Sequence, residues 1–135
     1  MKYKVAFVCV HNSCRSQMAE GWAKELANEV FDVYSAGTEN YSEVKPKAVQ
    51  VMEEVGVDMS SHKPKLLCDI PNDIDILIKM GCNVTCPYLP NKHTEDWGLD
   101  DPSGGGLEDF RNTRDLIKIK VEELVKRVVD GELSL

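Results

Sequence analysis

Positive charge is in short supply in this chain. Lys and Arg number 16 against 23 Asp and Glu, which leaves a formal charge of −7. That balance argues against holding nucleic acid or an anionic membrane by bulk electrostatics, although one local pocket can still be positive. Long apolar runs are lacking as well. The run Val5 to Val10 ends in His11-Asn12, too short and wrongly followed for a secretory signal. No stretch approaches the roughly 20 apolar residues of a membrane span. An even set of cysteines is also missing: there are five, a poor framework for static disulfides. Internal repeats, low-complexity tracts and linkers are absent too. These absences together read as a reducing, cytoplasmic setting, where spare cysteines are thiols used for chemistry or metal.

What is present is an ordinary globular composition. With 135 residues, 42% of them hydrophobic, the chain is expected to form one domain over 1–135. It should bury roughly two-thirds of its unfolded surface without a staple. Lys4 to Cys9 is β-prone and reads as a buried strand. From Arg15 the period changes: Met18, Ala19, Trp22, Ala23, Leu26, Ala27 and Val30 form one apolar helical face. Phe31 to Ser35 alternates and stops at Gly37, a second strand. Pro46 suits a first helical turn, and Ala48, Val49, Met52 and Val55 follow until Gly56, a natural stop. Ile74, Ile76, Leu77 and Ile78 predict a third strand. A polar segment from Gly81 to Gly106 has room for a short fourth strand near Trp97. Phe110, Ile117, Val121, Leu124 and Val128 mark a last helix closed near Gly131. This alternation implies an α/β fold, a parallel sheet covered on both faces. Active sites of such sheets lie beyond the carboxyl ends of the strands.

Beyond the first strand stands Cys9-Val10-His11-Asn12-Ser13-Cys14-Arg15-Ser16, a cysteine, five residues, an arginine and a serine. A tight loop between strand and helix can turn several backbone N–H groups toward one anion. The helix start adds partial positive charge, and Arg15 adds a planar fork for two oxygens of a tetrahedral oxyanion. The same field favours the thiolate of Cys9, the form that acts as nucleophile. The plainer alternative is a buried strand-end cysteine, with Arg15 as a surface charge on the helix.

The run Cys9 to Gly21, with Val33-Tyr34-Ser35-Ala36-Gly37, resembles the low-molecular-weight protein tyrosine phosphatase fold. More narrowly it is similar to the thioredoxin-coupled arsenate reductases of that fold, down to Trp97-Gly98-Leu99-Asp100-Asp101-Pro102. The resemblance implies a four-stranded parallel sheet with helices on both faces and Cys9 as nucleophile. Val10, His11, Asn12, Ser13, Cys14, Arg15 and Ser16 would line the oxyanion loop. Arg15 and Ser16 would bind the oxyanion, and Asn12 would brace the loop. His11 stands where these reductases commonly have glycine, and reads as structural or rim rather than as a base. Aspartates in loops are usually turn formers, but the resemblance gives Asp101, immediately before Pro102, the role of general acid.

A reductase of this type needs two further cysteines. Cys82 and Cys86 follow the third strand, on the side of the sheet where Cys9 ends. In the implied relay Cys9 attacks arsenate, Cys82 attacks the Cys9 sulfur and arsenite leaves. Cys86 then takes the oxidation to a Cys82–Cys86 disulfide, which a thioredoxin-type partner reduces. Three residues separate Cys82 from Cys86, whereas the familiar members have six. A second departure is Lys65, where some of these reductases carry an aspartate that helps hold potassium. A lysine ammonium would replace the ion, so no tight potassium site is expected despite Asn12, Glu20 and Ser35.

Competing readings exist for several of these residues. Cys82, Cys86 and His93 form an incomplete zinc set with no fourth ligand at regular spacing. Cys14 and Cys68 read as space fillers, and Trp22 and Trp97 as packing residues. A low-molecular-weight phosphatase would use Cys9 and Asp101 and ignore Cys82, but Ser103-Gly104 stand where that branch has tyrosine. A third possibility is an oxyanion-binding or redox-sensing module. The expectation carried forward is a monomeric arsenate reductase with no resident cofactor or metal. It would act on arsenate or a phosphate-like oxyanion with an external thiol reductant.

Overall fold

A computed structural model describes residues 2–9, 12, 14–38, 43–80, 91–99, 102–133 and 135. Four strands form one sheet: β1 (Tyr3–Cys9), β2 (Phe31–Gly37), β3 (Ile76–Lys79) and β4 (His93–Asp96). Three α-helices accompany them, α1 (Arg15–Ala27), α2 (Pro46–Glu53) and α3 (Leu107–Val129), with 3-10 turns at Leu67–Asp69 and Pro102–Gly104. The strand order is β2-β1-β3-β4, and every pairing is parallel. β1 has a neighbour on each edge and is buried from Val5 to Cys9, which is why its sequence is apolar without alternation.

The period of two within β1 still sorts its side chains. Val5, Phe7 and Cys9 join Ile76 and Ile78 in the large core with α1, α2 and α3. Ala6 and Val8 face a smaller cluster made with Ala36, Ile70, Ile74 and Leu77. Thus three α-helices cover one face. Among the described residues the Leu67–Asp69 turn and its neighbours cover the other.

Helix α1 packs closely because Gly21 lacks a side chain. A Cβ there would stand 3.1 Å from Val57 and 3.3 Å from the end of Met52. Trp22 donates its indole N–H to the Arg114 carbonyl at 3.0 Å, joining α1 to α3, and Phe7 meets Trp97 at 5.7 Å between ring centroids. Both tryptophans are packing residues. Gly56, at φ +82°, closes the turn after α2 in the left-handed region.

Several sequence expectations need adjustment. Leu26 and Val55 are exposed, so the apolar stripes end with Ala27 and Met52. Ile74 is buried, but β3 starts at Ile76. Asp75 intervenes, its carboxylate accepting the Lys4 N–H at 2.8 Å. The fourth strand ends just before Trp97, whose N–H extends the ladder to the Lys79 carbonyl at 2.9 Å. Cys68 is exposed and fills no space, because the 3-10 turn presents it to solvent. No described helix is long and apolar enough to cross a membrane.

Glu95 fastens the edge strand β4 to the end of α3. It accepts hydrogen bonds from Arg127 at 2.9 Å, from His93 at 2.7 Å and from the Trp97 indole at 3.0 Å. Burial alone would push this carboxyl up. The bonds from Arg127, His93 and Trp97 outweigh it and pull the pKa from 4.5 to about 2. A depressed carboxylate stabilises the fold above its unfolded value, and that contribution is lost as pH falls through the folded one. Glu95→Gln is therefore expected to cost about 2 kcal/mol at neutral pH. In urea unfolding, the gap to wild type should close as pH drops from 4.5 toward 2; a gap independent of pH would contradict this.

Candidate active site

The strand order changes direction between β1 and β3, and Cys9 ends β1 at that crevice. Its sulfur is buried and held from two sides. The Asn12 backbone N–H donates to it at 3.2 Å, and the Ser16 hydroxyl oxygen lies 2.8 Å away. Ser16 in turn accepts from the Asn12 side-chain amide at 2.8 Å. When Cys9 is a thiolate it can only accept, so the Ser16 proton points at the sulfur. Asn12 reaches this position at φ +54°, in the left-handed region that asparagine enters more readily than most residues. The first-turn amides of α1 have no carbonyl partner within the helix, which leaves them able to hold an anion.

Arg15 begins α1 and is buried. Its Nη1 donates to the Leu99 carbonyl at 2.8 Å and to the Met80 carbonyl at 3.4 Å. These carbonyls follow β4 and β3, so one guanidinium spans the carboxyl ends of two strands beside Cys9. This is no surface charge on a helix, and the plainer alternative for Arg15 falls.

A second polar cluster lies behind the loop, around Glu20. Its carboxylate accepts from Lys24 at 2.8 Å, from Lys65 at 3.3 Å and from the Ser35 hydroxyl. Burial would push the Glu20 carboxyl up; Lys24, Ser35 and the Lys65 charge more than reverse this and hold it below its ordinary range. The Lys65 ammonium thus stands, together with that of Lys24, against the carboxylate that a monovalent cation would need.

Of the residues singled out in the sequence, Cys9, Asn12, Cys14, Arg15 and Ser16 are brought together at the start of α1. Cys14 is buried in the core next to Met18 and Ala19. Val10, His11, Ser13, Cys82, Cys86, Asp100 and Asp101 lie outside the described residues. Pro102 is buried and opens the 3-10 turn Pro102–Gly104, and the carbonyl of Gly105, just after it, accepts from Lys47 at 3.1 Å. His93 spends its Nε2 on Glu95 at 2.7 Å, which ties its ring to the β4–α3 seam.

Sequence reasoning overlooked Gln17, His62 and the carbonyls of Met80 and Leu99. Backbone carbonyls leave no signature in a sequence. His62 is remote from the loop along the chain, and only the crossing of the 62–65 segment brings it in. Gln17 offered one weak sign: a polar residue in the buried first turn of an apolar helix.

A sheet of order 2-1-3-4 with a buried thiol, an arginine and a helix start at its switch point defines an oxyanion-handling cysteine protein. The low molecular weight phosphotyrosine protein phosphatase family matches residues 4–132, and the chain belongs to that family. An arsenate reductase of Staphylococcus aureus is 44% identical over 130 residues, covering 93% of this chain and 98% of that protein. An arsenate reductase solved in the phosphate-binding state superposes with a TM-score of 0.86 at 44% identity, covering 94% of this chain and 98% of that one. A thioredoxin-dependent arsenate reductase of Corynebacterium glutamicum is 31% identical with a TM-score of 0.79. That match covers 96% of this chain and 63% of the other.

Proposed function

We propose that this chain reduces arsenate to arsenite. The observation that carries the reading is the Cys9 sulfur held between the Asn12 N–H and Ser16 at the start of α1. A thiolate so placed attacks the arsenic of a tetrahedral oxyanion gripped by Arg15 and the amides of residues 10–16. Water leaves, and Asp101 supplies a proton to the departing oxygen. Cys82 then attacks the Cys9 sulfur. The electron pair of the As–S bond passes to arsenic, arsenite departs, and a Cys9–Cys82 disulfide remains. Attack of Cys86 on Cys82 frees Cys9, and an external dithiol of the thioredoxin type reduces the Cys82–Cys86 bond. The similarity to arsenate reductases, one of them thioredoxin-dependent, supports this sequence. A cytoplasmic monomer without resident cofactor or metal belongs to the same reading.

The test is arsenate-dependent NADPH oxidation with thioredoxin and thioredoxin reductase. Sustained turnover that stops in Cys82→Ser is expected. Hydrolysis of p-nitrophenyl phosphate indifferent to Cys82, with no arsenate-dependent NADPH loss, would make the chain a phosphatase instead.

Lys65 adds a prediction about ions. Because its ammonium already neutralises Glu20, turnover should be equal in potassium and sodium chloride at matched ionic strength. A KM for arsenate that falls on adding potassium alone would contradict this.

A further inference from the structure

Gln17 takes no part in the relay, yet it is fully buried in the first turn of α1 beside the Cys9 loop. Its Nε2 donates to the Asn12 backbone carbonyl at 3.1 Å, to Asn12 Oδ1 at 2.9 Å and to the Lys63 carbonyl at 2.9 Å. Its Oε1 lies 2.9 Å from His62 Nδ1. Three oxygen partners require the NH₂ end of the amide, which leaves the oxygen for His62. His62 must therefore carry a proton on Nδ1. Burial, and secondarily Lys24 and Lys65, outweigh Glu20 and favour the neutral ring. The Nδ1–H tautomer is then the one that fits.

What Gln17 grips is the residue whose amide faces the nucleophile. Asn12 at φ +54° sits where a side-chain-bearing residue is ordinarily disfavoured. Two groups secure it there from outside the loop. Gln17 takes its carbonyl and its Oδ1, and the Lys65 N–H donates to the same Oδ1 at 2.8 Å. That leaves the Asn12 N–H on the Cys9 sulfur and its Nδ2 on Ser16.

We propose that Gln17, oriented by His62, is a positioning residue for the Cys9 nucleophile. Its amide clamps Asn12 in the left-handed geometry that aligns the Asn12 N–H and the Ser16 hydroxyl on the sulfur. The proposal rests on Cys9 being the nucleophile, and it acts on the sulfur through Asn12. A substitution that removes the Nε2 donors frees Asn12 to relax, so the thiolate loses its hydrogen bonds. A substitution at position 62 that keeps a donor at the place of Nδ1 leaves the clamp closed.

The test is iodoacetamide labelling of the fully reduced protein from pH 5 to 9, read by mass spectrometry on the peptide that contains Cys9. Exposed Cys68 serves as the internal reference. In Gln17→Met, Cys9 labelling at pH 7 should slow about tenfold and its pH profile should move to higher pH, with Cys68 unchanged. His62→Asn keeps a donor near the Nδ1 position and should stay within about twofold of wild type. His62→Leu should shift toward the Gln17→Met profile. A Gln17→Met protein with the wild-type Cys9 profile would overturn the proposal, as would equal behaviour of His62→Asn and His62→Leu. If Gln17→Met does not fold, the His62 pair decides. A wild-type Cys9 that labels no faster than Cys68 at pH 6 would instead count against Cys9 as the nucleophile, so the two failures are distinct.

Discussion

Cys9→Ser is expected to abolish arsenate reduction while phosphate binding stays within a few-fold of wild type. An oxygen in place of the sulfur is neither ionised at neutral pH nor able to form a disulfide, so the two electrons have no path to arsenic. The loss is therefore complete, beyond the roughly thousandfold or larger fall common when an activated nucleophile is removed. In the proposed mechanism the groups that grip the anion are separate from the sulfur: the amides at the start of α1 and the Arg15 guanidinium remain. Phosphate titration by calorimetry beside the NADPH assay separates the two effects. Residual arsenate-dependent turnover in Cys9→Ser would mean that another thiol is the nucleophile.

Arg15→Lys should be the second most damaging change. The guanidinium is buried and gives Nη1 to the carbonyls of Leu99 and Met80, while its planar fork still has other N–H groups to offer an oxyanion. Lysine carries three donors on one atom and cannot reach two carbonyls and two oxygens of a tetrahedral anion together. Its ammonium, held near Cys9, would satisfy one set and abandon the other. A fall of about a hundredfold or more in kcat/KM for arsenate is expected, with phosphate inhibition weakened by about tenfold. Both would be read in steady-state kinetics. If KM alone rose and kcat held, Arg15 would serve ground-state binding only.

The order of elements was legible because each element announces its own period. Met18, Trp22 and Ala23 recur at helical spacing, β1 is apolar throughout because it has a neighbour on both edges, and Gly56 stops α2 where a positive φ is required. Misreadings fell at ends and edges. Leu26 and Val55 lie where a helix leaves the core, and Ile74 packs in the core although Asp75 separates it from the strand. Cys68 looked like filler because exposure is set by a 3-10 turn that composition does not reveal. At the site, Cys9, Arg15 and Ser16 were visible as one contiguous run. The Gln17–His62 pair, Lys65 on Glu20 and the carbonyls that hold Arg15 were not, since they join segments 45 to 84 residues apart. Lys65 is the intermediate case. Its identity suggested a missing cation, and the fold sets the ammonium against Glu20.

Disulfide mapping of the reduced protein after a single exposure to arsenate shows whether oxidation passes from Cys9 to a terminal Cys82–Cys86 disulfide. Wild type should yield Cys82 and Cys86 joined within one peptide, with Cys9 recovered as a thiol. Cys86→Ser should accumulate the Cys9–Cys82 pair. A protein that releases arsenite with Cys82 and Cys86 both still reduced would contradict the relay, and would transfer the reduction to a thiol outside this chain.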